Sequence, residues 1–135
     1  MLELRDITRA YELGGERAGV FGVSLEVPAG TLAVLAGPSG SGKTTLLQVA
    51  GLLEPPDAGQ VLLEGREVTR LPEREACALR LTRLGFIFQS FNLVPVLTAL
   101  ENVMLPRQLQ GRGAAPHAER AAALLDRVGL GDRLE

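Results

Sequence analysis

Apolar and polar residues alternate along Leu2-Glu3-Leu4-Arg5-Asp6-Ile7, which predicts a half-buried strand. Gly14-Gly15 marks a turn. From Val20 to Val27, Phe21, Val23, Leu25 and Val27 fall on one face, with Gly22, Ser24 and Glu26 on the other. The run Leu32-Ala33-Val34-Leu35-Ala36 has no polar side chain, the pattern of a central parallel strand buried on both faces. A glycine-rich turn follows, then a helix over Thr44 to Ala50 that stops near Gly51 and Pro55-Pro56. Further on, Val61 to Leu63 reads as a short strand before a Gly65 turn, Pro72 to Arg83 as a charged helix, and Phe86-Ile87-Phe88 as a short apolar strand. Thr98 and Glu101 have the spacing of a capping box and open a helix, which Pro106 should kink or end. A last helix is expected from Pro116 to Val128, with Ala118, Ala121, Ala122, Leu125 and Val128 on one face and Gly129 as its stop. The loop from Gln110 to Ala115 is expected to be the least ordered part.

Composition narrows the class. A chain of 135 residues with 46% hydrophobic content can bury the core of one domain. A net charge of −2 argues against a nucleic-acid partner. The single cysteine, Cys77, excludes an internal disulfide framework and a cysteine-based zinc cluster. The N-terminus has no apolar signal segment. The longest uncharged run, the 17 residues from Leu84 to Leu100, is too short and too polar to span a bilayer, so a soluble cytoplasmic chain is expected. Of the 14 basic residues only Lys43 is a lysine.

That lysine closes Gly37-Pro38-Ser39-Gly40-Ser41-Gly42-Lys43-Thr44, a phosphate loop by spacing and by its place between an apolar strand and a helix. Successive backbone N–H groups in such a turn point together at phosphate oxygens, and side chains would block the approach. The helix N-terminus adds donors and a positive dipole end. Lys43 supplies a compact positive charge to the β- and γ-phosphates that the planar guanidinium of arginine would not replace. The Thr44 hydroxyl can ligate Mg²⁺. Ser39, Gly40, Ser41, Gly42 and the following Thr45 complete the predicted nucleotide contacts. A loop of this kind would equally serve a nucleotide kinase, a GTPase or a transport ATPase.

Residues 84–103 decide among these. The stretch Leu84-Gly85-Phe86-Ile87-Phe88-Gln89 and the following Asn92-Leu93-Val94-Pro95 closely resemble the ATP-binding subunits of ABC transporters, and above all the branch serving lipoprotein release, macrolide export and related cell-division systems. The resemblance runs the length of the chain and takes in Gly22-Val23-Ser24-Leu25 and the phosphate loop. It implies an α/β P-loop NTPase fold of ABC-transporter type, in incomplete form: a mainly antiparallel β region over 1–31, a phosphate-loop core with part of the parallel sheet over 32–90, and the start of the helical subdomain over 91–135. It implies ATP and Mg²⁺ as ligands. Gln89 would contact Mg²⁺ and the attacking water, although on the residues alone it reads as an ordinary amide at the edge of a core. Tyr11, the only tyrosine, would stack on adenine; by itself it could simply pack beside the Gly14-Gly15 turn. The uncharged surface from Ser90 to Leu97 would meet a transmembrane permease subunit, with the chain peripheral at the inner face of the membrane and a second nucleotide-binding subunit beside it.

Other parts of the family pattern are not found in the chain. There is no Leu-Ser-Gly-Gly-Gln signature and no Asp-Glu pair. His117, the only histidine, precedes any position for the family's switch histidine and reads as a solvated helix residue. The expectation is therefore binding of Mg-nucleotide with little or no hydrolysis by this chain. Without the strand that carries the Asp-Glu pair, Leu32 to Ala36 would lie at an open sheet edge and promote self-association. Two other readings are a non-enzymatic nucleotide-binding regulator of a membrane partner and a nucleoside-monophosphate kinase. The Gln89 stretch has no place in the second of these.

Overall fold

A computed structural model describes residues 1–111 and 115–133; positions 112–114 of the loop expected at Gln110–Ala115 fall outside the described residues. The chain divides into two compact units, Met1–Leu84 and Gly85–Glu135.

In the first unit, β1 (Leu2–Leu13) and β2 (Glu16–Val27) form a long antiparallel hairpin. Its two-residue turn, Gly14-Gly15, has φ of 62° and 87°, the left-handed pair that matches the twist of a tight hairpin. On the other side of β1 lies β3 (Ala58–Leu63), followed by the short β4 (Arg66–Glu67). The sheet order is β2-β1-β3-β4, antiparallel throughout. Helix α1 (Lys43–Ala50) lays Leu46 and Val49 on the inner face of this sheet. There they join Leu4, Ile7, Val20, Val61 and Val68 in one buried cluster. Leu46 and Val49 are three residues apart, the spacing that puts both on one helix face. Helix α2 (Glu73–Arg83) follows, with Glu73 and Glu75 in its first turn and Arg80 and Arg83 in its last, each sign at the end its charge favours.

Two expectations need correction here. The face assignment in β2 is wrong for Phe21. Register shifts lie between Leu4 and Ile7 and between Ile7 and Arg9 on β1. Opposite them the Gly22 N–H leaves the ladder to donate to Thr8 Oγ1 at 3.0 Å. A bulge changes which side of a strand faces inward. Val20 is therefore buried and Phe21 is 52% exposed, lying under the Arg17 guanidinium. The central parallel strand at 32–36 also does not form. The segment pairs with no strand among the described residues, and Leu32 and Val34 stand 92% and 79% exposed. An apolar run becomes a central strand only when neighbours supply both ladders, and the sheet present closes on β2-β1-β3-β4 instead. Only Leu35 packs against the buried cluster.

In the second unit, α3 (Ala99–Leu109) opens on the expected capping box: the Thr98 hydroxyl accepts from the Glu101 N–H, and the Glu101 carboxylate accepts from the Thr98 N–H. The helix runs through Pro106 and ends three residues later. Helix α4 (Ala115–Arg127) packs on it with Ala121 and Leu125 buried, as Met104 is on α3. Gly129, at φ 78°, ends α4, and the Leu130 N–H donates back to Leu125 O at 2.9 Å. Phe86-Ile87-Phe88 is not a strand among the described residues. The Phe86 and Phe88 rings stack at 5.7 Å with Ile87 fully exposed between them. No helix among the described residues is long and apolar enough to cross a membrane.

Candidate functional site

The phosphate loop leads directly into α1. Gly42 caps that helix at φ 84° and ψ 6°, a left-handed conformation that glycine adopts without penalty. A second constraint acts at the same place. A Cβ on Gly42 would lie 2.5 Å from Val20 Cγ1 and 2.8 Å from Gly19 O, so the loop rests against the β2 backbone with no room for a side chain. The first intrahelical bond runs from Leu46 N to Gly42 O at 2.8 Å. The N–H groups of 43, 44 and 45 precede it and remain available to a ligand.

Lys43 folds back along the loop. Its Nζ donates to Gly37 O at 2.8 Å and to Pro38 O at 2.6 Å, with Ser41 Oγ at 3.3 Å. Two carbonyls thus hold the ammonium at the mouth of the loop, where all three bonds stay exposed. The cleft around it has a volume of about 600 Å³ and is lined by Tyr11, Ala18, Gly19 and every residue from 39 to 45. The structure therefore brings Tyr11, Ser39, Gly40, Ser41, Gly42, Lys43, Thr44 and Thr45 to one cleft. Every charged group in this lining is positive. N–H donors, hydroxyls and one ammonium around a concavity form a donor set for a polyphosphate. A second cleft, of about 550 Å³ near α2, carries Glu54, Asp57 and Glu73 against the single cation Arg70, a net negative lining that would repel one.

Gln89 belongs to the second unit, on the exposed segment after Phe88. Its neighbours Phe91, Leu93 and Val96 are exposed apolar residues. Asn102, which sequence reasoning missed, fixes the end of this segment. Its amide nitrogen donates to Val94 O, Leu97 O and Thr98 O at 3.2, 3.0 and 2.9 Å, and its oxygen accepts from Val94 N at 2.8 Å. One side chain thus serves four backbone groups of a segment that has no ladder of its own, and two of them, Val94 O and Thr98 O, also accept the N–H groups of Leu97 and Asn102. The sole hint in the sequence was an amide in the first turn of the predicted helix, just after an uncharged loop.

Sequence reasoning also missed Arg9, Glu54 and Asp57, which surround Tyr11. The Tyr11 hydroxyl donates to Glu54 Oε2, and the Arg9 guanidinium lies 5.0 Å from the centre of the Tyr11 ring. Arg9 pairs with Glu54 at 3.2 Å and with Asp57 at 2.9 Å. Asp57 Oδ2 accepts the Ala10 N–H at 2.9 Å. That N–H first, and Arg9 second, hold the Asp57 carboxyl below its ordinary value of 3.8. The Arg9 guanidinium is held above its ordinary range by Tyr11 first and Asp57 second, with burial opposing. A carboxyl lowered on folding stabilises the fold above its unfolded value, and this contribution is lost as pH falls through the folded one. Asp57→Asn is therefore expected to flatten the acid limb of a plot of unfolding midpoint against pH, below 3.8. An unchanged acid limb would show that Asp57 contributes nothing.

The chain is similar to known proteins along almost its whole length. The sequence profile described as ABC transporter matches residues 20–135. An uncharacterized ABC transporter ATP-binding protein of Thermotoga maritima is 48% identical over 99% of this chain and 58% of its own length. The lipoprotein-releasing system ATP-binding protein LolD of Paramagnetospirillum magneticum is 45% identical over 99% of this chain and 60% of its own. The macrolide export ATP-binding/permease protein MacB of Syntrophobacter fumaroxidans is 44% identical over all of this chain and 19% of its own. Among solved structures, the dimeric post-hydrolysis state of the ATP-binding cassette MJ0796 bound to ADP and Pi superposes with a TM-score of 0.88 at 37% identity, covering 99% of this chain and 60% of that one. The chain thus spans about three fifths of the ATP-binding proteins it matches. With the profile match covering most of its length, this chain belongs to the ABC transporter family and aligns with that family's ATP-binding subunits.

Proposed function

We propose that the chain binds ATP or ADP with Mg²⁺ at the phosphate loop, as the nucleotide-binding part of an ABC transporter that couples ATP binding and hydrolysis to export or lipoprotein release. The observation that carries this reading is the single cleft formed by Tyr11, Lys43 and the backbone of 39–45. The N–H groups of the loop and of the first turn of α1 hold phosphate oxygens, Lys43 exchanges its loop carbonyls for them, and Tyr11 stacks on the adenine. Bound Mg²⁺ would neutralise charge on the β- and γ-phosphates. Thr44 would ligate it with its hydroxyl. The exposed Phe91, Leu93 and Val96, on the loop tied down by Asn102, support the Ser90–Leu97 surface as the contact with a transmembrane permease subunit. A second nucleotide-binding subunit is the other expected partner, with the assembly at the cytoplasmic face of the membrane.

Hydrolysis needs an oriented water and a group to polarise it. Turnover at or near background is the expected behaviour of this chain alone. As a second reading, the chain is a nucleotide-binding regulator without turnover; co-purification with a membrane partner and no phosphate release would favour it over the first. The test is equilibrium binding of Mg-ATP and phosphate release by the purified 135-residue chain. Binding without release is expected, and release that depends on Lys43 would overturn the low-turnover reading.

A further inference from the structure

Tyr11 is half-buried on the hairpin, and its ring is held at two points. The phenol donates to Glu54 Oε2, a residue 43 positions away on the loop after α1. The same carboxylate oxygen accepts Arg9 Nε at 3.2 Å, and the Arg9 guanidinium lies over the ring at 5.0 Å. Arg9 is itself fixed from its far side by Asp57 Oδ1 at 2.9 Å. Tyr11 lines the nucleotide cleft, whereas Arg9 and Glu54 do not. A cation thus covers the ring from outside the cleft while a carboxylate holds its hydroxyl. From this geometry we propose that Glu54 and Arg9 are positioning residues for the base-stacking ring, with Glu54 the member that sets its orientation. This rests on the reading of Tyr11 as the adenine platform. A tyrosine without such partners samples several rotamers, and ordering it on binding subtracts from affinity. The Glu54–Arg9 pair orders the ring before nucleotide arrives, so its effect falls on the base and not on the phosphates.

The composition supplies a clean probe. Tyr11 is the only tyrosine and the chain has no tryptophan, so intrinsic fluorescence reports this ring alone, and a carboxylate acceptor quenches phenol emission. Glu54→Ala is expected to raise that emission and to weaken ATP binding about three- to tenfold, while binding of inorganic tripolyphosphate stays unchanged. Tyr11→Phe keeps the ring and loses the hydroxyl, so it should lose as much ATP affinity as Glu54→Ala, and the double variant no more than either. Glu54→Gln still offers an oxygen to the phenol and should recover part of the loss. Unchanged ATP affinity in both Glu54→Ala and Tyr11→Phe, or an equal loss of tripolyphosphate in Glu54→Ala, overturns the positioning role. Tyr11→Ala separates the two readings. If it loses ATP affinity while Glu54→Ala and Tyr11→Phe do not, only positioning falls. If it binds ATP as the unaltered chain does, or if the unaltered chain binds none, both fall.

Discussion

Lys43→Ala is expected to weaken Mg-ATP binding about 100-fold, the scale of a charge-assisted contact to phosphate in a loop built around it. The ammonium now bridges Gly37 O and Pro38 O. Its removal takes away the charge that meets the phosphates and also leaves the two carbonyls without their shared donor. The loss should therefore extend to inorganic tripolyphosphate, which distinguishes this variant from changes at Glu54. Lys43→Arg should not restore binding, because a planar fork cannot sit where a single Nζ donates along the loop. The Lys43 bonds are exposed, so the unfolding midpoint should barely move. Calorimetric titration of both variants with ATP and tripolyphosphate checks the outcome. A loss under threefold for Lys43→Ala would remove the phosphate loop from the binding site.

The second large effect concerns stability. Gly19 pairs with Ala10 across the hairpin at φ 144°. A Cβ there would run into Arg9 O and lie 2.9 Å from Ala10 Cα. These are backbone atoms of a paired strand and cannot swing aside, so Gly19→Ala must part β1 from β2 at this point. A cost of about 3 kcal/mol is expected. Gly14→Ala is the control: its φ is also positive, at 62°, but nothing lies within 4 Å of the added carbon, and its cost should be about 1 kcal/mol. Denaturant unfolding of the two variants gives the comparison, and equal midpoints would discount the steric argument. The damage should not stop at the hairpin, since the loop at Gly42 rests on Gly19 O.

The cleft around residues 39–45 was legible because it is built locally. Glycine turn, lysine and helix are consecutive in the chain, and the cleft keeps them together. The hairpin, the capping box at Thr98 and the stop at Gly129 were legible for the same reason, each being set within a few residues. What failed was non-local. Whether Leu32–Ala36 becomes a strand depends on neighbours that no pattern within the segment encodes. The face of Phe21 was lost to a bulge, where an extra residue changes the parity of a period-two pattern. The supports of Tyr11 were invisible because Glu54 and Asp57 lie 43 to 48 positions along the chain from the Tyr11 and Arg9 side chains they hold. Asn102 was likewise an unremarked helix residue until its four bonds to the preceding loop were seen.

The ammonium held by two loop carbonyls is also, apart from the amino terminus, the only primary amine in the chain. An amine-acylating reagent therefore has two targets, and one of them lies inside the cleft. On the proposed binding mode, the mass of a peptide spanning that residue, measured after brief labelling, counts the sites that nucleotide fills. Occupancy could be followed this way in crude mixtures, with no isotope, dye or engineered tag.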